Sequence, residues 1–192
     1  MKRFALLLLL VPALALAAAK KKAPPPAKPP PPPPPTEPSA KLADAMGEKP
    51  LALLTGATKV TLYKLRFQEG VRPNPQLAIG VDYERQGNGR ELNASELKQL
   101  RGIVYDEKTF KFDPPPCSQF VPEVGMLAQS DADTGMLEML FSFKCGALMF
   151  FTAKTAGRSI PGVQLDFRPG KKPLLELVKG LMPQEPAVQA LK

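Results

Sequence analysis

The sequence predicts an α+β fold, a single domain over residues 41–192 with a mainly antiparallel sheet, two principal helices and one disulfide. Three observations carry that expectation. Leu137, Met139, Phe141, Phe143 and Cys145 alternate with Glu138, Leu140, Ser142 and Lys144, the period of two expected of a strand with one face on a core. Asn93-Ala94-Ser95-Glu96 has the form of a helix capping box, and Leu97, Leu100, Ile103 and Val104 recur behind it at helical spacing. Cys117 and Cys145 are the only two cysteines, and the chain opens with an export signal, so a disulfide is their simplest use.

That signal occupies residues 1–19. Lys2 and Arg3 supply the positive start, residues 4–16 the apolar stretch, and Ala15-Leu16-Ala17 a small-x-small cleavage site, with cleavage expected after Ala17 or Ala19. The apolar run is shorter than the roughly 20 residues that a bilayer span needs, and Pro12 interrupts it. The expected product is therefore a periplasmic or secreted protein with no transmembrane segment after cleavage. Residues 20–40, KKKAPPPAKPPPPPPPTEPSA, form a Pro/Lys-rich linker. Proline fixes φ and removes the backbone donor, so the segment should be an extended polyproline II rod of about 3.1 Å per residue. A plain spacer is the primary reading; a ligand for an aromatic groove, or a cationic contact with anionic envelope polymer, competes with it.

The whole chain carries a net charge of +8, but six of its 26 basic residues and one of its 18 acidic residues precede Lys41. The domain is left with 20 against 17, a net of +3. It has no basic stripe interleaved with aromatics and no tryptophan, so a nucleic-acid partner is not expected.

Along the domain, residues 41–46 read as a short helix stopped by Gly47. Residues 59–67 (KVTLYKLRF) read as an amphipathic strand, with Thr61, Tyr63, Leu65 and Phe67 on one face and Lys64 and Arg66 on the other. A second strand is expected over residues 76–83 after Pro73 and Pro75. The capping box predicts a helix over residues 94–105, and it explains Asn93 without invoking the glycosylation acceptor that Asn93-Ala94-Ser95 also spells. Val124, Met126 and Ala128, then residues 137–145, then ALMFFTA at 147–153 predict a three-stranded meander, with residues 130–135 as its first reversal. Residues 163–167 alternate as a last strand. A helix from Pro173 carries Leu174, Leu177, Val178 and Leu181 on one face and ends at Pro183, and residues 185–191 add a further turn.

No catalytic, cofactor-binding or metal-binding residue is assigned from these patterns. Asp133-Thr134-Gly135 spells the triplet of aspartic proteases, but one copy would require a symmetric dimer, and a hairpin turn explains the same residues. As a calcium loop beginning at Asp131, the twelfth position would be Ser142 rather than a bidentate glutamate. Met136 and Met139 suggest copper(I), yet positions three apart on a strand face opposite ways, so core packing is the expected role. With no histidine anywhere, acid–base catalysis would fall to carboxylates, lysine or tyrosine, and a non-catalytic role is favoured over an enzyme.

Gly56-Ala57-Thr58-Lys59-Val60-Thr61-Leu62-Tyr63, the block 100–110, Phe143-Lys144-Cys145 and the ending MPQEPAVQAL at 182–191 resemble an uncharacterised group of exported bacterial proteins. That group has a G-A-T-x-V-x-V-Y start, C-x-F-x-P and C-F-x-C segments and an F-P-x-D-x-x-I-x-x-L ending. Here the first cysteine segment, Cys117 to Pro122, is one residue longer, and Ser142 stands where the group often has another cysteine. The resemblance implies export and one structural disulfide, Cys117–Cys145, but no activity. The expected role is thus a periplasmic module that binds a partner protein or an envelope component. The alternative is a membrane-anchored spacer or a force-transmitting protein similar to TonB in its order of helix, proline-rich rod and small domain.

Overall fold

A row of alternating apolar side chains on five successive strands builds this protein around a sheet. The computed structural model describes residues 33–67, 83–113, 120–130, 135–154 and 160–192. Residues 33–192 form one compact unit. The strands are β1 (Lys59–Phe67), β2 (Tyr83–Glu91), β3 (Val124–Gln129), β4 (Gly135–Ser142), β5 (Ala147–Lys154) and β6 (Ile160–Asp166). They make a six-stranded sheet in the order β2-β1-β3-β4-β5-β6, with every neighbouring pair antiparallel. The predicted meander is its centre, β3-β4-β5.

The helices are α1 (Ala40–Met46), α2 (Glu48–Thr55), α3 (Ala94–Tyr105), α4 (Lys171–Leu181) and α5 (Pro186–Gln189), with a 3-10 turn at Glu107–Thr109. Leu62, Met126, Met139 and Phe150 stand in one cross-strand row on the covered face of the sheet. They are fully buried together with Leu42, Leu54, Leu100 and Leu174 from the helices. Phe141, Phe143 and Phe167 close the far end of this core with ring centroids 5.3 to 6.2 Å apart, within the range in which aromatic pairs add to their area burial.

Several sequence expectations change on the structure. The two principal helices, α3 and α4, are present, but α2 is a further helix of eight residues. Pro50 looks like a breaker there, yet it lies in the first turn, where its missing N–H costs no helical bond. In β1 it is Val60 and Leu62 that enter the helix-covered core, while Tyr63 and Leu65 join a second cluster with Leu140, Phe151, Tyr83, Phe120 and Met149. The centre of the sheet is buried on both faces, so the supposedly polar side of β4 is not solvated: Glu138 is 3% exposed and Ser142 1%. Glu138 there accepts a hydrogen bond from Arg85 Nη2 at 3.2 Å, and the Arg85 guanidinium lies 5.0 Å from the centre of the Tyr63 ring.

The strand expected at 76–83 falls outside the described residues except for Tyr83, where β2 begins. β2 runs through YERQGNGRE, a stretch without apolar alternation, because a bulge sets its register. Leu62 pairs with Arg90 and Lys64 with Gln86, leaving residues 87–89 opposite Tyr63. Gly87 and Gly89 take φ of 72° and 74°. A Cβ on Gly89 would stand 2.7 Å from Tyr63 Cδ1 and 2.8 Å from Thr61 Cγ2, so the glycine is what lets the ring lie against the bulge. Of the expected Cys117–Cys145 bridge, Cys117 lies outside the described residues; no free cysteine is found among the described ones.

Candidate functional site

The covered face of β1 changes character along its length. Val60 and Leu62 are buried under the helices, but the next residues on that side are Lys64 and Arg66. Charged side chains cannot be covered by an apolar helix face without a desolvation cost, and the helical layer gives way there to the short α5. The result is a cleft of about 410 Å³. Its walls come from β1 (Lys64, Leu65, Arg66), β2 (Gln86), the segment before β3 (Val121, Pro122, Glu123) and the C-terminal turn (Ala187, Val188, Leu191).

Its polar groups are held by partners. Lys64 Nζ donates to Glu185 Oε2 at 3.0 Å, which ties β1 to the residue before α5. Arg66 donates to Glu84 Oε2 at 2.6 Å across the β1–β2 pair. Glu123 is partly buried, and its carboxylate accepts from the backbone N–H of Phe143 at 2.7 Å and of Lys144 at 3.3 Å. Burial pushes its pKa above the ordinary carboxylate range, against the pull of those amides and of the Lys171 charge. One wall of the cleft therefore also fixes the reversal between β4 and β5, residues 143–146, in which Cys145 lies half-buried.

The residues singled out from the sequence do not converge here. Cys145 is in that reversal. Asp131 and Asp133 lie outside the described residues, and Gly135 opens β4. Met139 and Met126 face each other in the core row, and Met136 is partly buried and accepts from Gln129 Nε2 at 3.6 Å. Asn93 is occupied as the cap of α3. Its Oδ1 accepts from Glu96 N at 3.0 Å while its own N–H donates to Glu96 Oε2 at 2.7 Å. Among the described residues no group of three acidic or thiol side chains is placed to hold a metal ion. No helix among them is long and apolar enough to cross a membrane.

Sequence reasoning missed Lys64, Glu123 and the α5 residues as a group, since they are brought together from three separate parts of the chain. The available signal was the break from Val60 and Leu62 to Lys64 and Arg66 on one side of a strand. Comparison of the chain with protein-family models, curated proteins and solved structures finds no match to any.

Proposed function

We propose that this chain is an exported periplasmic protein whose α+β domain binds a partner protein or an envelope component without catalysing a reaction. The observation that carries the reading is the cleft. Leu65, Val121, Pro122, Ala187, Val188 and Leu191 offer it apolar walls, whereas Lys64, Arg66 and Glu123 are engaged by protein groups. A surface of this kind gains affinity by burying apolar area, with a polar rim setting register. The signal sequence, the proline-rich linker and a Cys117–Cys145 bridge belong to the same proposal. They describe a domain carried outside the inner membrane on a spacer.

The test uses a photo-crosslinking residue at Gln86 in the full-length protein, expressed in its host and recovered from the envelope fraction. A discrete adduct is expected there, together with a chain mass that starts at Ala18 or Lys20. Changing the exposed Ala187 and the partly buried Leu191 to Glu should lower adduct yield about tenfold, on the order of 1.4 kcal/mol, with an unchanged melting temperature for Ala187→Glu; Leu191 also packs against the core, so its variant is read below its own melting transition. Adducts that ignore both substitutions would discard the cleft as the binding site. A mass that retains Met1 would give first place to an anchored spacer.

A further inference from the structure

α3 contains a glycine that its own geometry does not need. Gly102 is the ninth residue of the twelve in α3, and glycine inside a helix costs about 1 kcal/mol relative to alanine. Its φ is not in the left-handed region, so conformational freedom is not its use. What it permits is a close approach: a Cβ at Gly102 would stand 3.0 Å from Pro34 Cβ and 3.8 Å from Pro34 Cγ. The proline ring rests where a side chain would otherwise be.

The same segment lines the neighbouring surface. Pro34, Pro35 and Thr36 on one side, and Ala94, Leu97, Lys98 and Arg101 on the other, enclose a notch of about 300 Å³. Arg101 is fixed, because its Nη2 donates to the carbonyls of Ala57 at 2.6 Å and Thr55 at 3.0 Å at the end of α2. A proline segment has apolar rings and carbonyl acceptors but no backbone donors. A helix face with Leu97 for the rings and the Lys98 ammonium for the carbonyls is complementary to it.

We propose that α3 is a polyproline seat and that its occupant is the chain's own segment, residues 33–36. Residues 33–36 are then held beside Gly102 rather than hinging freely before α1. This is independent of what the cleft binds.

The chain has no tryptophan, so Thr36→Trp in the full-length protein gives a single reporter at the seat. Acrylamide quenching of that reporter should rise, and its emission shift to the red, both with Gly102→Val on the helix side and with Pro34→Gly on the linker side. Helical circular dichroism should stay the same. In the unsubstituted chain, nuclear Overhauser contacts between Gly102 and the Pro34 ring are expected, which checks the seat without the reporter. No Overhauser contact, or quenching that neither substitution changes, would overturn the proposal. A signal that depends on protein concentration would also overturn it, by showing that a second copy's segment fills the seat.

Discussion

Glu123 shows how one side chain can serve two parts of the molecule. Its carboxylate satisfies two backbone donors of the β4–β5 reversal while its residue forms a wall of the cleft. Because burial dominates and raises its pKa, the folded protein binds this proton more tightly than the unfolded chain, whose glutamate titrates near ~4.3. The resulting contribution is fully present below the unfolded pKa and is lost as pH rises through the folded one. Stability measured by urea titration should therefore shift in favour of the native chain, relative to Glu123→Gln, as pH falls from 7 toward 5. Parallel profiles for the two proteins would show that the buried carboxylate does not govern this range. Asp166 behaves oppositely. Burial would raise its pKa, but the hydrogen bonds and charge of Arg168 more than offset that and hold it below the usual range, so its contribution is lost only in stronger acid. Neither role was legible in the sequence, where Glu123 follows a proline in an unassigned segment and Asp166 is one polar position of a strand.

At the level of elements, local chemistry was the more readable the less it depended on partners. The bounds of α3 agree with the sequence expectation because its start is written in four consecutive residues, and both reciprocal bonds of the capping box form. Glu96 is further held by Arg90 through two oxygens at 2.6 and 2.8 Å, and this pairing lowers its pKa. Replacing Asn93 with Ala should cost about 1 kcal/mol in a urea denaturation series, and Asn93→Ser should restore most of it. Equal loss in both variants would mean that the side-chain oxygen is not the stabilising group. β2 was harder to read, since YERQGNGRE becomes a strand only through pairing with β1 across a bulge that two glycines at positive φ allow. α2 was missed for a related reason. Its proline is harmless at one end, and the carbonyls at the other are satisfied by Arg101 from a helix 46 residues later in the chain.

For the whole molecule, the consequential finding is that the centre of the sheet, β3 and β4, is buried on both faces. A strand alternating Leu, Met and Phe with Glu, Leu and Ser suggests one wet side, yet Leu140 is fully buried and Glu138 nearly so. The balance between covered face and second face then decides which residues of β1 count as core. The proposed Cys117–Cys145 bridge would close a loop spanning β3 and β4, the centre of the sheet. In the chain-entropy description a loop of that length stabilises by roughly 3 to 4 kcal/mol. The intact mass of the non-reduced protein should therefore be two hydrogens below that of the reduced one, and reduction should lower the urea midpoint accordingly. An unchanged mass would remove the bridge from the account of this fold.

The amino-acid sequence determined by itself the class of the fold, the meander at its centre and the position of α3. Those depend on hydrophobic period and capping chemistry, which act over a few residues. The tertiary structure alone decided the register of β2, which face of β1 is core, the seat of Pro34 on Gly102 and the cleft under α5. Each of these depends on groups distant in sequence meeting at contact distance, and no local pattern encodes which distant group arrives.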